Sequence, residues 1–381
     1  MNRRNFLRIA GGGVVLAAAG TGAWIANSAP TRALEPWALA GGSQYADPRL
    51  KALSHAILAP NPHNRQPWIV ELGGDTDVTL YFDVERQLPH TDPFDRQLTI
   101  GLGCFLELMR MAAASNGYRV DLDLLPEGED ADGLDIRPIA HARFSKADVQ
   151  ADTLWPHVPD RRSNKEPFDT MRTVAPEQLN RILTEARNPD WVGGSVDTRD
   201  IAFWRNLTSE ALMIEIETPH TFQESVDLFR IGKREVNANP DGIDFSGPLF
   251  ETLHLTGMMT REAAADTSST AYSSGVDAVL ANTKTAMGHL WMVTPGNTRT
   301  DQIAAGAEWL RLNLACTREG LGFQPLSQAL QEYPEMAGHY ATVHDLLAPQ
   351  GGTVQMLARI GYGPDVSVSP RWPLEAKLRR T

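Results

Sequence analysis

Cysteine is nearly missing from this chain: Cys104 and Cys316 are its whole complement in 381 residues, both within apolar, helical-looking stretches, with no C-x-x-C. That argues against a disulfide-built scaffold and against a thiolate metal cage. Basic charge is also short. Lys and Arg number 35 against 47 Asp and Glu, a net charge of -12. The first 33 residues hold four arginines and no acid, so the remainder stands near -16. Nucleic acid and anionic lipid are poor partners for such a surface. No G-x-S-x-G occurs, and the GGG at 11–13 belongs to an apolar N-terminal run, so neither a nucleophile elbow nor a phosphate loop is present. His254, His289, His339 and His344 lack a spacing that would place two on one helical face with a carboxylate. Only His339 and Asp345 are near neighbours, in a stretch that reads as loop, and none of these is a metal candidate.

Long uncharged runs are equally scarce, apart from Ile9 to Ala26, which follows NRRNFLR. Residues 1–33 read as a twin-arginine signal peptide ending at a small-residue site such as Thr31-Arg32-Ala33. A plain membrane anchor is the alternative, and an uncleaved tether stays open. The expectation is export by the twin-arginine machinery to the periplasm, or tethering on the outer side of the membrane. That route carries folded proteins, which raises the expectation of a bound cofactor.

The remaining 350 or so residues suffice for one large core or two ordinary ones. Asp47 to Leu58 has helical apolar spacing that stops at Pro60, and WIVEL and DVTLYFDV read as strands joined by a GGD turn. Arg96 to Gly117 reads as a long buried helix with a glycine C-cap, and YRVDLDLL as another strand. The second half echoes this: Met171 to Arg187 resembles the first helix, and Thr300 to Gly320 the long one. Gly103 and Gly306, like Gly117 and Gly320, are separated by 203, whereas Leu50 and Leu179 are separated by 129. The difference implies about 74 extra residues in the second copy, within Ile201 to Thr298. The predicted fold is α+β, with two tandem related halves (34–150 and an enlarged 151–381), each a mainly antiparallel sheet packed by helices.

Two segments carry chemistry. PNPHNRQPW, Pro60 to Trp68, packs three prolines, two asparagines, an imidazole and an indole into a stiff loop. RRSNKEPFD, Arg161 to Asp169, would in extended form turn Arg161, Ser163 and Lys165 to one side. That row suits a phosphate at one end and a carbonyl-rich ring at the other. A basic surface turn at a domain junction is the alternative.

These segments resemble the NxQPW loop and the RRS flavin-phosphate segment of the FMN-dependent nitroreductase superfamily. The order HNRQPW, LPHTDPFDRQLTIGLG, RRSNKEPFD, GLGFQPLSQ, LARIGYGP is similar to the tandem, fused-dimer branch typified by the mycobacterial Acg-type proteins, over nearly all of the chain after about residue 45. The resemblance implies FMN as cofactor and hydride transfer through flavin N5 to a nitroaromatic, quinone or activated alkene, with NAD(P)H or another donor. It implies a loop from one half and an RRS segment from the other. The first half has the loop and no RRS; the second has RRS but NPDWVGG in place of the loop. One complete site in a monomeric pseudo-dimer is therefore expected.

By the same resemblance Asn61, Pro62 and Asn64 line the isoalloxazine edge, His63 touches flavin or substrate or makes a structural hydrogen bond, and Gln66 and Trp68 brace the loop. Arg161 and Ser163 hold phosphate or ribityl oxygens, and Lys165 sits near N1 and the C2 carbonyl. Pro325, Leu326 and Ser327 present a backbone N–H to N5, and Arg371 binds phosphate. Trp372 stands where a second arginine is often found, and Asn61 and Pro62 replace small hydroxyl residues. The Met-bearing stretches LHLTGMMT and GHLWMV read as a lid over the flavin or, preferably, as packing between helices, while DTSSTAYSSG suits a mobile cover. A covered flavin would make the chain a non-catalytic flavin-binding or storage protein.

Overall fold

In the computed structural model, residues 28–379 are described; the twin arginines and the run Ile9 to Ala26 lie outside them. Among the described residues no helix is long and apolar enough to cross a membrane. Helix α1 (Thr31–Leu39) is followed by α2 (Pro48–Ala56), the hairpin β1 (Trp68–Gly73) and β2 (Asp77–Phe82), the long α3 (Arg96–Ala114), then β3 (Tyr118–Leu124) and β4 (Pro138–Lys146). The second half begins with α4 (Pro176–Leu183) and β5 (Val192–Ser195). Residues 196–287 then carry α5 (Thr198–Glu217), α6 (Pro219–Asp227), β6 (Phe229–Ile231), α7 (Gly232–Ala238), β7 (Ile243–Phe245), α8 (Pro248–Leu255), α9 (Arg261–Ala265) and α10 (Thr270–Thr283). It closes with β8 (Gly288–Thr294), α11 (Arg299–Arg318), β9 (Gly322–Pro325), α12 (Ala337–Leu347) and β10 (Thr353–Gly361).

The two four-stranded sheets have the orders β1-β2-β4-β3 and β5-β8-β10-β9, all pairs antiparallel. Counted within each half, both read first-second-fourth-third, so the halves are related in topology as well as in helix spacing. The enlargement is a single insertion: β1 and β2 are joined at Gly74 to Thr76, whereas their counterparts β5 and β8 are separated by residues 196–287. That segment lies almost wholly inside the window expected from the offsets.

The halves meet where α3 crosses α11, and the spacing of 203 reappears as symmetry. A Cβ on Gly103 would strike the Ile303 carbonyl, and one on Gly306 would strike the Ile100 carbonyl. Each contact is the other shifted by 203, so the two glycines sit on a local twofold relation and let the backbones touch. The same shift relates two buried arginines, each the first residue of its helix. Arg96 reaches the Gln355 and Leu330 carbonyls of the second half, at 2.7 and 2.5 Å. Arg299 reaches the Phe94 and Asp130 carbonyls of the first, at 2.7 and 2.9 Å. Gly320, at φ 70°, directly follows the C-cap Glu319 of α11, whereas α3 ends earlier than expected, at Ala114 with Ser115 as its cap, and Gly117, at φ 77°, lies two residues further on.

One apolar core runs through both halves, taking in Trp68, Leu102 and Phe105 from the first and Trp309, Leu310, Phe323 and Ile360 from the second. Three expectations change. The helix read over Met171 to Arg187 is confined to Pro176–Leu183, because the residue before a proline disfavours the α region and Ala175 is instead extended at ψ 143°. GHLWMV is neither lid nor interhelical filling: it is β8, a central strand of its sheet, buried at Gly288, His289, Leu290, Met292 and Thr294. The stretch holding His339 and Asp345 is helical, within α12.

Candidate functional site

The loop before β1 is the most unusual backbone in the molecule. His63, Asn64 and Gln66 all have positive φ, at 47°, 50° and 53°. For side chains other than glycine each such conformation costs about 1 kcal/mol or more, and it persists only where the surroundings enforce it. The enforcement is visible. Asn61 Oδ1 accepts from the Gln66 backbone N–H at 2.7 Å, and the Gln66 amide spans the Pro240 carbonyl (2.6 Å) and the Trp372 N–H (2.9 Å). Lys377 donates to the Gln66 carbonyl at 2.7 Å. Gln66, fully buried, is thus a brace with its amide engaged by protein, and Trp68 is sealed against Phe105. Asn61 and Pro62 lie over Gly101 of α3, where a Cβ would come within 3.0 and 3.3 Å of them. The helix glycine therefore fixes how closely the loop sits.

Arg161, in extended chain ahead of α4, and Arg371, near the C-terminus, converge beside this loop. Both donate to the Leu58 carbonyl, at 3.0 and 3.1 Å, and Arg371 also reaches the Ala59 carbonyl (3.0 Å) and Asn64 Oδ1 (2.6 Å). Both are buried, at 4% and 3% exposure, and neither has a carboxylate partner among the described residues. Arg371 Nε has no hydrogen-bond partner among the described residues. Desolvation pulls Arg161 down to about 10, with Cys104 opposing and Arg162 adding to the fall; desolvation and the charge of Arg161 pull Arg371 down to about 9. Two guanidiniums held together without an anion are costly, and the arrangement accounts for itself if a dianion binds between them.

The other expected residues surround this pair. Ser163 is half-buried, and its hydroxyl makes no hydrogen bond in the described structure. Asn164 ties the segment to β9 by donating to the Phe323 carbonyl at 2.8 Å. Lys165 reaches solvent, yet enough protein crowds it that desolvation draws its ammonium below the ordinary value, with Asp244 of β7 opposing. His63 is drawn down to about 4 by desolvation, then by Lys165 and Arg65. The imidazole is therefore neutral. Its Nδ1 has no partner, and its Nε2 lies 3.4 Å from Ser225 Oγ of α6. Of the three residues expected to offer a backbone N–H, Pro325 has none and Leu326 spends its own on the Leu357 carbonyl at 2.8 Å. Ser327 is left, its N–H without a partner among the described residues and its hydroxyl 3.5 Å from the Leu357 carbonyl.

Sequence reasoning missed two contributors. The turn Pro240-Asp241-Gly242 of the insertion is pinned to the loop: Asp241 pairs with Arg230 at 2.7 Å and with Arg86, and accepts from Trp372 Nε1 at 3.3 Å. Helix α1 covers the arginines. Trp37 lies 5.9, 5.3 and 5.7 Å from the guanidiniums of Arg161, Arg162 and Arg371, within cation–π range. Only a lone tryptophan near the end of the expected signal region marked it.

The fold is α+β, with two antiparallel sheets of matching strand order, and Arg161 and Arg371 converge beside the loop that precedes β1. No family model matches the chain. It is 25% identical over 350 residues to acg of Mycobacterium tuberculosis, provisionally named an NAD(P)H nitroreductase, with 85% of this chain and 93% of acg covered. PigM of Serratia, named in the same way, is 22% identical over 189 residues, 48% of this chain and 52% of PigM. Among solved structures, the FMN-dependent nitroreductase NfnB of Mycobacterium smegmatis in complex with NADPH is similar over 58% of this chain and 94% of NfnB, at 20% identity and a TM-score of 0.34. A nitroreductase of Bacteroides fragilis with bound FMN has a TM-score of 0.32, at 12% identity over 58% of this chain and 94% of its own.

Proposed function

We propose that the chain is an FMN-binding oxidoreductase of nitroreductase type, with one cofactor site composed by both halves. The observation that carries this is the buried pair Arg161 and Arg371, converging from positions 210 residues apart on the Leu58 carbonyl with no acid to neutralise them. Those two guanidiniums and Ser163 would hold the phosphate. Asn61, Pro62 and Asn64 would line the ring edge, and Ser327 would offer its N–H. FMN, when bound, would supply two-electron transfer to a nitroaromatic, quinone or activated alkene.

The protein's own part is to bind, orient and tune. Lys165 would stand beside the ring edge, its ammonium drawn below the ordinary value by desolvation with Asp244 opposing. His63, neutral, adds no competing charge. The tandem halves support a fused-dimer origin and a functional monomer, and the likeness to acg supports NAD(P)H as donor. If residues 1–33 export the chain beyond the cytoplasmic nicotinamide pool, a different donor serves. The second reading, a non-catalytic flavin-binding or storage protein, is favoured by the Asp241 clamp, which fixes one edge of the insertion against the loop.

The test is anaerobic titration of the purified chain, following its visible spectrum while NADPH, NADH and then dithionite are added. A flavin band bleached by a nicotinamide and restored by a quinone or nitroarene is the expected result. Reduction by dithionite alone would favour the storage reading. Absence of any flavin binding, including after incubation with FMN, would remove the proposal.

A further inference from the structure

Helix α1 lies against the arginine pair. This helix has nine residues and carries Pro36 inside, so it has little stability of its own. It is held by docking. Ala33, 1% exposed, accepts from the Arg371 N–H at 2.8 Å and donates to Asn237 Oδ1 of α7 at 3.0 Å, and Trp37 Nε1 donates to the Ser369 carbonyl at 2.8 Å. The indole faces three guanidiniums at once, and Arg371 also donates to the Leu58 and Ala59 carbonyls. On this side the arginine pair is bounded by α1.

We propose that α1 is the end wall of the cofactor-phosphate site and that Trp37 sets its selectivity, admitting a terminal phosphate monoester and rejecting a diphosphate that carries a further nucleoside. The inference rests on the flavin reading above. Its physical basis is that a dianion between Arg161 and Arg371 relieves the repulsion of the buried pair, and α1 shields that contact from water. Anion binding and docking of α1 therefore strengthen each other. A ligand extended past its phosphate must displace Trp37 and gives up that coupling. Residues from Ser28 onward, including the Thr31-Arg32-Ala33 site at which a signal cut was expected, would then be needed in the folded protein.

The test uses the full chain stripped of flavin and titrated with FMN, riboflavin and FAD by fluorescence quenching. FMN should bind more tightly than FAD. Trp37→Ala should weaken FMN by about tenfold, the scale of the lost cation–π contacts, leave riboflavin within about twofold, and narrow the FMN-to-FAD ratio, with Trp37→Phe recovering part of the loss. A second measurement needs no variant: inorganic phosphate should slow tryptic cleavage at Arg32, an exposed residue of α1. Unchanged FMN-to-riboflavin and FMN-to-FAD ratios in Trp37→Ala, or cleavage indifferent to phosphate, would overturn the inference. If wild type binds no flavin, the functional proposal fails, and the phosphate-dependent cleavage still decides whether α1 closes over an anion.

Discussion

Single residues in this protein carry charge states that burial dictates. Arg161 and Arg371 stay cationic although drawn down to about 10 and about 9, because even those values lie well above neutral pH. Histidines fare differently. His289, with no exposure and with both ring nitrogens lacking partners, is drawn down to about 3 by desolvation, then by Arg205 and Arg359. The unfolded chain protonates this ring near 6.5 while the folded one does not, so its contribution to stability is complete above about pH 6.5 and is lost as pH falls toward 3. The loss is on the order of 1.4 kcal/mol per pH unit within that window. His289→Leu removes no hydrogen bond, so stability at pH 7 should stay within about 1 kcal/mol of wild type, whereas the difference between variant and wild type should grow in the variant's favour on acidification. Urea unfolding at pH 7, 6 and 5 measures it, and parallel curves would refute the assignment. Nothing in the sequence separated this histidine from the others, since its environment comes from strand pairing across the sheet. The strained loop was legible, because Pro and Asn at such density already signal unusual backbone. Which of its side chains brace and which face the groove depended on Pro240, Trp372 and Lys377, all more than 170 residues away.

At the scale of elements, the crossing of α3 and α11 decides how the site is assembled, since α3 also supports the loop through Gly101. The glycines at the crossing have backbone opposite them, and backbone cannot rotate aside as a side chain can. Gly103→Ala and Gly306→Ala should each destabilise by about 2–3 kcal/mol, the range for overpacking. The double variant should cost less than the sum, because either methyl alone already forces the helices apart. Chemical denaturation of the two singles and the double checks this, and strict additivity would mean that the crossing does not move as a unit. Both helices were readable from apolar content and terminal glycine. Strands β4 and β8 were not. β8 is apolar without clean alternation because it is central in its sheet and packed on both faces, and such a run cannot be told from helix filling by periodicity. The insertion was legible as surplus length but not as a wall, because the Asp241 clamp joins residues 155 apart in the chain.

For the whole molecule, the question is how many sites two like halves make. Two residues past the end of α4, as Leu58 is two past the end of α2, the Glu185 carbonyl accepts from Arg311 at 2.8 Å. There the similarity stops. Arg311 is neutralised by Asp152 at 2.5 Å, with Glu107 and Glu185 at 3.7 and 3.8 Å. The buried Glu308 accepts from the backbone N–H groups of Arg187 and Asn188 at 2.9 and 3.1 Å, filling the place where a second loop would open. A phosphate entering this side would meet buried carboxylates already holding the available donors, and like-charge repulsion at low dielectric excludes it. On the proposed reading the first half would supply the loop and the second the cations, while around Arg311 the charges are spent on an ion-pair network. The expected stoichiometry is one flavin per chain, with a solution mass of a monomer by light scattering and no dependence of flavin binding on protein concentration. Two flavins per chain, or binding that appears only as chains associate, would mean that the acidic side can open or that a second copy completes it. Glu308→Gln refines the point. It removes a negative charge from the mirrored position without touching Arg161 or Arg371, so an unchanged single equivalent of flavin places the barrier in the whole network rather than in this one carboxylate.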